Sequence, residues 1–482
     1  MSGSDQDFKQ SLSLTDATML VAGSMIGSGI FIVSADVTRN LGSSGWMLLA
    51  WVLAGVLTLI AALSYGELAG MFPKAGGQYV YLREAFNPLI AFMYGWTMFT
   101  VIQAGTIAAV AVAFAKFTSY FIPWFGEDNI LFSIGSWNFK GSQVLAILSI
   151  LVLSGINLRG VNLGKVVQTS FTLAKLVAIF GLIILGLTLG FNQEIFTNNF
   201  TLSWDAQHWD GSTFSSISGV ALILALGGAM VGTLFSSDAW NNVTFIAGEI
   251  KDPSRNIPKS LFFGTLIVTV IYLLTNVTYL GLLPLQGSPN GTDVVSQGIA
   301  FATNDRVGTA AASLIFGVSA AAIMSVLIMV STFGCNNGLI LSGSRLYYAM
   351  AKDNLFFPKA GRLNENAVPG FGIKAQAIWA SALCLTGTYG ALLDYTIFAA
   401  LLFYILTIAG IFVLRRKSPD TFRPYKAFGY PVLPILYIVC AAVIAFILLI
   451  DKTENTLPGL FIVLLGIPVY YVVKKKFAPT AE

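Results

Sequence analysis

The stretch GSMIGSGIF at residues 23–31, together with SSDAWNN at residues 236–242, decides the fold of this chain. Each stretch interrupts a long apolar segment with glycine or polar residues. Lipid offers no hydrogen-bond partners, so unwound backbone at membrane depth is tolerated only where it is buried in protein or lines a water-filled cavity. The two interruptions therefore predict two broken membrane helices and a buried polar site.

The composition indicates an all-α membrane protein. Of the 482 residues, 56% are apolar and only 10% are charged, whereas a soluble domain carries about 25% charged residues. The net charge of +4 gives no reason to expect a nucleic-acid partner. The polar first eleven residues lack the basic start and cleavage site of a secretory signal, so the first span is expected to serve as an uncleaved anchor.

Apolar segments of suitable length predict twelve membrane-spanning helices, because a bilayer needs about 20 mostly apolar residues per helix. The connections between them are short, and residues 1–482 are therefore expected to form a single transmembrane domain. The expected spans cover residues 15–37, 45–70, 88–115, 143–158, 165–190, 219–249, 261–284, 308–345, 374–390, 394–415, 429–450 and 457–474.

The positive charges predict the orientation of the chain. Lys and Arg are retained in cytoplasmic loops, and 21 of the 27 Lys and Arg residues fall in one set of alternating connections. Five fall in the opposite set, and Lys175 lies inside a span. Both termini are therefore expected to be cytoplasmic, in a multi-pass protein of the cell membrane.

The sequence contains no recognisable metal, cofactor or catalytic motif. Its single histidine, His208, lies in a predicted loop, and no nucleophile and base occur in a known arrangement. The cysteines Cys335, Cys384 and Cys440 lie in apolar segments and are expected to be free packing residues. We therefore expect no enzyme activity, no metal and no cofactor, with a membrane enzyme or a channel as remote alternatives.

The predicted orientation makes the two interruptions face opposite ways, since span one would run outward and span six inward. Inverted repeats of five spans, with discontinuous helices that form a site near the midplane, are a known transporter architecture. We expect the first repeat to cover residues 15–190 and the inverted second repeat to cover residues 219–415. Two additional helices would cover residues 429–474.

The first break offers groups for both ends of a zwitterionic α-amino acid. The N–H groups of Gly27, Ser28 and Gly29 would begin the following half-helix, where the helix dipole favours a carboxylate. The carbonyls of Met25 and Ile26 would end the preceding half-helix and complement an ammonium group. The first break therefore predicts an amino acid site.

Helix packing is an alternative reason for Gly27, which forms a G-x-x-x-G pair with Gly23. The second break is harder to explain by packing, because most of its side chains can hydrogen-bond. The carbonyls near Phe235 would also face the ammonium group, and the Phe235 ring is a candidate lid. Asp238 has several open roles: an ion pair with Lys175, a cation ligand, a contact to a polar substrate, or a helix cap, which is the commonest role at a helix start.

Lys175 follows Lys165 by ten positions, which places it about 15 Å deeper along a helix. An ionisable group at that depth is a functional candidate by default. Its ammonium would then take the place of a coupling cation near the first break. A lysine that only bridges helix carbonyls, without a role in transport, is the alternative.

Several motifs resemble those of the amino acid-polyamine-organocation superfamily, and in particular its L-type amino acid transporter branch. The resemblance spans nearly the whole chain in the expected order. Its motifs are residues 23–31, Glu67–Gly70 with Phe72–Gly77, Trp240–Asn242 with Glu249, Asp252-Pro253 and Arg255–Pro258, Phe333–Gly338 with Ser344–Leu346, and Arg423-Pro424.

The resemblance implies a LeuT-like fold, with twelve spans in a five-plus-five inverted repeat and discontinuous helices 1 and 6. It implies sodium-independent transport of neutral amino acids, often by exchange, through alternating access. It implies that the amides around Ser28 and Gly29 bind the carboxylate and that carbonyls near Met25, Ile26, Phe235 and Asp238 bind the amine. Phe235 would act as a gate. The resemblance also implies that Lys175 occupies the region that related transporters use for sodium, and that Asn241 lies beside the substrate.

One feature departs from the animal members, which carry a cysteine between spans three and four that links to a heavy chain. Residues 116–142 contain no cysteine. We therefore expect a prokaryotic light-chain-like protein without a disulfide-linked heavy chain, whose partners are the amino acid substrate and the lipid bilayer. Proton-coupled uptake and a cationic amino acid or polyamine permease, with Asp238 as counter-ion, remain alternative functions.

Overall fold

The computed structural model describes residues 10–135, 137–201, 203–386 and 389–477. Helix α1 begins in a capping box, in which the Ser13 hydroxyl accepts from the Asp16 N–H and the Asp16 carboxylate accepts from the Ser13 N–H. The first eight helices are α1 (Leu14–Met25), α2 (Gly29–Leu41), α3 (Ser44–Met71), α4 (Gln78–Ala85), α5 (Pro88–Thr97), α6 (Gln103–Thr118), α7 (Gly141–Leu158) and α8 (Val161–Leu185).

Eleven further helices follow. They are α9 (Gln193–Thr201), α10 (Gly219–Ser236), α11 (Asn242–Phe245), α12 (Pro253–Leu282), α13 (Val294–Gln297), α14 (Val307–Phe316), α15 (Val318–Lys352), α16 (Gly370–Leu383), α17 (Tyr389–Lys417), α18 (Val432–Asp451) and α19 (Thr453–Phe477). Short turns of other helix types occur at Met98–Ile102, Pro123–Phe125, Gly186–Gly190, Ala247–Glu249, Thr303–Asp305 and Pro358–Gly361.

Two small antiparallel hairpins lie in loops and add little to this helical architecture. Strand β1 (Ile130–Ile134) pairs with β2 (Trp137–Lys140) between α6 and α7. Strand β3 (Gln207–Trp209) pairs with β4 (Phe214–Ser216) before α10. His208 lies in β3, within the loop where the sequence places it.

The fold is that of a multi-span helical membrane protein. In the described part of the chain, ten helices are long and apolar enough to cross a membrane, and α1 with α2 would form an eleventh span bent by 41°. The predicted ninth span contains α16, which has 14 residues and a length of about 21 Å, less than the ~30 Å of a hydrocarbon core. The count of twelve therefore stays a prediction.

The predicted eighth span, residues 308–345, differs from the structure. It is divided at Gly317, which has a φ of 73°. Glycine adopts this left-handed backbone without the steric cost that a Cβ would bring. Helix α14 therefore ends there, and the long helix α15 continues to Lys352.

The two broken helices lie at the centre of the bundle. Helix α12 packs along α1 and α3, α10 packs along α2 and α3, and α15 packs along α6 and α8. Leu12, which precedes α1, forms an isolated parallel β-bridge with Ile250, which follows the second break. We call the face of the bundle that carries Leu12 and Ile250 the terminal face, and the other side the opposite face.

A buried carboxylate joins the end of α3 to the end of α17 and to the following loop. The Glu67 carboxylate accepts from Arg415 Nε and Nη2 at 3.0 and 2.7 Å, from Arg423 Nε at 3.1 Å and from the Ala427 N–H at 2.7 Å. The Arg415 guanidinium also lies 3.7 Å from the centre of the Tyr430 ring. Glu67 is only 1% exposed. Its single negative charge is therefore shared between two arginines, Arg415 and Arg423.

We expect Glu67→Gln to lower the thermal midpoint of the detergent-purified protein, because it leaves Arg415 and Arg423 without their carboxylate. Breaking a buried ion pair costs roughly 3–5 kcal/mol. Glu84→Gln is the matched control, since Glu84 forms an ion pair with Arg83 but is 41% exposed, where a pair contributes about 0–1 kcal/mol. Equal midpoints for the two variants would show that the Glu67 cluster does not stabilise the bundle.

Candidate functional site between the broken helices

The first break separates α1 from α2. Helix α1 ends at Met25, residues 26–28 are not helical, and α2 begins at Gly29. The N–H groups in the first turn of a helix have no partner inside that helix. The first turn of α2 therefore directs such groups, including the predicted carboxylate donor Gly29, towards the break.

The second break separates α10 from α11 over residues 237–241. Ala239 adopts a left-handed backbone with a φ of 64°, which is uncommon for a residue with a Cβ. The Phe235 carbonyl accepts from the Asp238 N–H at 3.2 Å. Strained backbone of this kind is often found at functional sites.

The two breaks lie directly against each other. A Cβ added to Gly29 would lie 2.1 Å from Ser236 Oγ and 2.9 Å from Ser236 Cα. Only a glycine at position 29 allows this approach of α2 to the end of α10. A Cβ added to Gly27 would lie 3.1 Å from Cys335 Sγ in α15, so Gly27 is packed closely against α15.

Lys175 reaches the first break from α8. Its Nζ lies 2.7 Å from the Gly23 carbonyl oxygen and 2.7 Å from the Ile26 carbonyl oxygen, and the residue is 0% exposed. Ser331 Oγ lies 3.3 Å from the same Ile26 oxygen. Ile26, predicted to face the substrate amine, therefore already accepts from two protein donors in this conformation.

Asp238 does not cap the second half of its span. Helix α11 begins at Asn242 with Asn241 at its N-cap position, so Asp238 lies too early in the chain to act as the cap. Its Oδ1 instead accepts from the hydroxyl of Tyr404 in α17. Lys175, a suggested partner of Asp238, hydrogen-bonds to the carbonyls of the first break.

Asn241 and Phe235, the other predicted site residues in this region, are both buried. Asn241 Nδ2 donates to Gln78 Oε1 at 3.1 Å, and Gln78 Nε2 donates to Thr407 Oγ1 at 2.9 Å. The second break is thereby joined to α4 and α17. Phe235 lies one residue before the end of α10, next to the closely packed Ser236.

Sequence reasoning missed three residues that contact the breaks, because their residue types are common in membrane helices. The Tyr272 hydroxyl in α12 contacts the carbonyls of both Met25 and Ser236. Tyr404 binds Asp238, and Ser331 binds the Ile26 carbonyl. The local sequence around these residues contains no signal that distinguishes them from packing residues.

A small cavity with both polar and apolar lining residues lies beside the second break, between the third, eighth and tenth predicted spans. It includes the predicted site residues Asp238 and Asn241. Its full lining is Gln78, Tyr94, Met98, Ile102, Gln103, Thr106, Asp238, Ala239, Asn241, Asn242, Leu339, Ala400 and Tyr404. A second small cavity shares Asp238, Ala400 and Tyr404 with it.

The two faces of the bundle differ in how much open space they contain. A cavity of about 310 Å³ on the opposite face is lined by Val33 of α2, Gly232 of α10 and Asp394 of α17, among others. On the terminal face, the Glu249 carbonyl accepts from the backbone N–H groups of Ser11 and Leu12. The Glu249 side chain pairs with buried Arg345 at 3.0 Å. The conformation is therefore more open at the opposite face.

A family model described as amino acid permease matches residues 12–473. The chain belongs to the amino acid permease family. The resemblance to the amino acid-polyamine-organocation superfamily and its L-type branch is thereby confirmed, and so is the prediction of a transporter rather than an enzyme.

Named relatives of this permease are similar over almost its full length. The serine/threonine exchanger SteT of Bacillus subtilis (strain 168) is 31% identical over 98% of this chain and 99% of its own. The human b(0,+)-type amino acid transporter 1 is 29% identical over 96% of this chain and 88% of its own. The mouse large neutral amino acids transporter small subunit 2 is 28% identical over 96% of this chain and 81% of its own.

We expect Gly29→Ala to abolish amino acid binding, because the new Cβ would drive the first turn of α2 away from Ser236 and displace its N–H groups. Gly55→Ala in α3 is the matched control. A Cβ there would lie 2.3 Å from Thr269 Cγ2, so it crowds another helix contact away from the breaks. Binding of radiolabelled amino acid to the purified permease measures both variants. Unchanged affinity in Gly29→Ala would contradict a carboxylate site at this turn.

Proposed function

We propose that this permease is a sodium-independent exchanger of neutral amino acids that works by alternating access. The observation that carries the proposal is the position of the Lys175 ammonium on the Gly23 and Ile26 carbonyls. Carbonyls at the end of a half-helix are the groups that coordinate the coupling cation in transporters of this architecture. A covalently attached cation in that place removes the need for a sodium ion.

The two breaks would share the recognition of the amino acid. The N–H groups of Gly27, Ser28 and Gly29 would bind the carboxylate, because they lie at the positive end of α2. The carbonyls near Met25, Ile26, Phe235 and Asp238 would bind the amine. Because Lys175 and Ser331 occupy the Ile26 oxygen and Tyr272 contacts the Met25 oxygen in this conformation, the carbonyls of the second break would contribute most.

The polar groups around the small cavity at the second break favour a small polar side chain on the substrate. Gln103, Thr106 and the Asp238–Tyr404 pair supply donors and acceptors at its wall. Two further buried donors in its lining, Tyr94 Oη and Asn242 Nδ2, have no hydrogen-bond partner within the described part of the chain. A hydroxyl or amide side chain could satisfy such groups, whereas a branched apolar side chain would leave them unpaired. The Bacillus subtilis relative is named as a serine/threonine exchanger, which agrees with this preference.

In alternating access, the cavity on the opposite face would close and the terminal face would open. The first repeat, residues 15–190, and the second, residues 219–415, would be related by inversion, with residues 429–474 outside the repeats. Reciprocal packing supports this relation, since α12 packs on α1 while α3 packs on α10, and α15 packs on α8 while α17 packs on α6. Phe235 would close the site from the opposite face, and Asn241 would lie beside the substrate.

The proposal includes the orientation of the permease in the membrane and its partners. Both termini would be cytoplasmic, because the loops on their side carry most of the Lys and Arg residues. The permease would act in the cell membrane without a disulfide-linked heavy chain, since residues 116–142 contain no cysteine. The opposite face, with the wide cavity, would then be the outer face.

Transport in liposomes tests the exchange proposal. We expect purified permease to take up labelled serine or threonine only when unlabelled amino acid is present inside, and to prefer them to leucine, phenylalanine and lysine. Replacing sodium by potassium or imposing a proton gradient should leave the rate unchanged. Uptake into empty liposomes that is driven by sodium or by protons would contradict exchange, and protein-free liposomes give the background.

We expect Lys175→Ala to lower the exchange rate about tenfold or more, because two charge-assisted hydrogen bonds at the first break are lost. Ser331→Ala is the matched control, since it removes a neutral donor from the same Ile26 carbonyl and should keep most of the activity. Size-exclusion chromatography checks that both variants are folded. Normal turnover of folded Lys175→Ala would exclude a role of Lys175 in transport.

A further inference from the structure

The loop of residues 418–431 joins α17 to α18 and lies on the terminal face. A Cβ added to Gly70, near the end of α3, would lie 3.4 Å from the Ser254 carbonyl oxygen and 3.7 Å from the Tyr425 backbone nitrogen. Ser254 follows Ile250, which marks that face, by four positions. Both α17 and α18 are long and apolar enough to cross a membrane. The loop between them is therefore placed at the membrane surface.

Large apolar side chains of this loop are not covered by the bundle. Phe422 is 81% exposed and Phe428 is 67% exposed, and Val432 at the start of α18 is exposed as well. Exposed apolar groups that lie together mark an interaction surface. Next to the end of a spanning helix, such groups reach the boundary between lipid acyl chains and headgroups. The loop therefore presents a surface that acyl chains can cover.

Basic side chains accompany the two rings. Residues 415–431 contain one acidic residue, Asp420, and five basic residues, which are Arg415, Arg416, Lys417, Arg423 and Lys426. The side chains of Arg416 and Lys426 are exposed and have no ion-pair partner among the residues that the structure describes. Clusters of about four to eight Lys and Arg residues beside a spanning helix are typical of anionic-lipid binding. The segment therefore combines exposed rings with an excess of positive charge.

Hydrogen bonds within the loop hold it in one shape. Arg423 Nη1 donates to the Pro419 and Thr421 carbonyls at 3.0 and 2.8 Å. Arg423 Nη2 donates to the Ser418 carbonyl at 3.0 Å, and its Nε donates to the Glu67 carboxylate at 3.1 Å. The surface is thus formed before a ligand arrives, which lowers the entropic cost of binding.

The hairpin of β1 and β2 provides a contrast. Phe132 and Ile134 of β1 are also exposed, but residues 130–139 contain no charged side chain and follow the acidic pair Glu127 and Asp128. Apolar exposure in the hairpin gives no preference for the charge of a lipid. The combination of exposed rings and basic groups distinguishes the α17–α18 loop.

We propose that the α17–α18 loop is a binding surface for anionic phospholipid. Phe422 and Phe428 enter the region of the acyl chains. Arg416, Lys417 and Lys426 face the headgroup phosphates. A phosphatidylglycerol headgroup carries a net negative charge, whereas the choline group of phosphatidylcholine cancels the charge of its phosphate, so the loop prefers the anionic lipid. This surface goes beyond the proposed function and does not depend on which substrate is carried.

Lipid titration of the detergent-purified permease tests the proposal, with the thermal midpoint as the readout. We expect dioleoylphosphatidylglycerol to raise the midpoint at a lower concentration than dioleoylphosphatidylcholine. Arg416→Gln combined with Lys426→Gln should raise the half-maximal concentration of the anionic lipid about tenfold, because two charges near the headgroups are lost. Lys417 is left in place, since its Nζ donates to the Glu84 carbonyl at 3.1 Å.

Lys251→Gln combined with Arg255→Gln is the matched control. Both are exposed basic residues of the terminal face, but residues 250–256 contain no aromatic side chain and include the acidic Asp252. This double variant should keep the wild-type half-maximal concentrations. Phe422→Ser should weaken the response to both lipids by a similar factor, because an apolar group is lost while the charges remain.

Equal half-maximal concentrations of the two lipids for the wild type would overturn the proposal, and so would an equal loss in the two double variants. A wild-type response of Phe422→Ser to both lipids would contradict insertion of its ring. Glycerol phosphate carries the headgroup charge without acyl chains, so an equal midpoint shift by glycerol phosphate would indicate a site for free phosphate instead. These measurements involve no transport, so their failure is distinct from a failure of the proposed function.

Discussion

The structure depends on one constraint: backbone groups released by two broken helices must find partners at a depth where lipid supplies none. Side chains of other helices meet this need at the first break. Lys175 of α8 and Ser331 of α15 bind the Ile26 carbonyl, Cys335 of α15 binds the Ser24 carbonyl, and Tyr272 of α12 binds the Met25 carbonyl. The surrounding helices therefore supply donors that stabilise the first break.

The donors at the first break form two sets, one on α12 and the other on α8 and α15. Tyr272 joins the ends of both broken helices to α12, so α1, α10 and α12 are held to one another at their buried ends. Lys175 and Ser331 hold the same region to α8 and α15. A rocking motion that keeps the first set of bonds would have to break the second set, which contains the charged donor.

Sequence reasoning located the breaks and Lys175 because each is a local anomaly: glycine and polar residues, or one lysine, within an apolar segment. It could not find Tyr272 or Tyr404, since a tyrosine in a membrane helix is ordinary and its partners lie 247 and 166 positions away. The division of the eighth span at Gly317 and the short helix after the second break were also missed. Asp238 shows the same limit, because its partner, and hence its role, is set by the packing of α17 and not by its neighbours in sequence.

The terminal face contains a buried ion pair that is incompletely hydrogen-bonded. Arg345 and Glu249 form a buried pair with a single contact, and within the described part of the chain Arg345 Nη2 and Glu249 Oε2 have no hydrogen-bond partner. Burying charges costs several kcal/mol per ion, which an imperfect pair does not fully offset. Opening this face would admit water to both atoms and recover hydration. Such a gain in hydration would reduce the free-energy gap between the two conformations that the proposed alternating access requires.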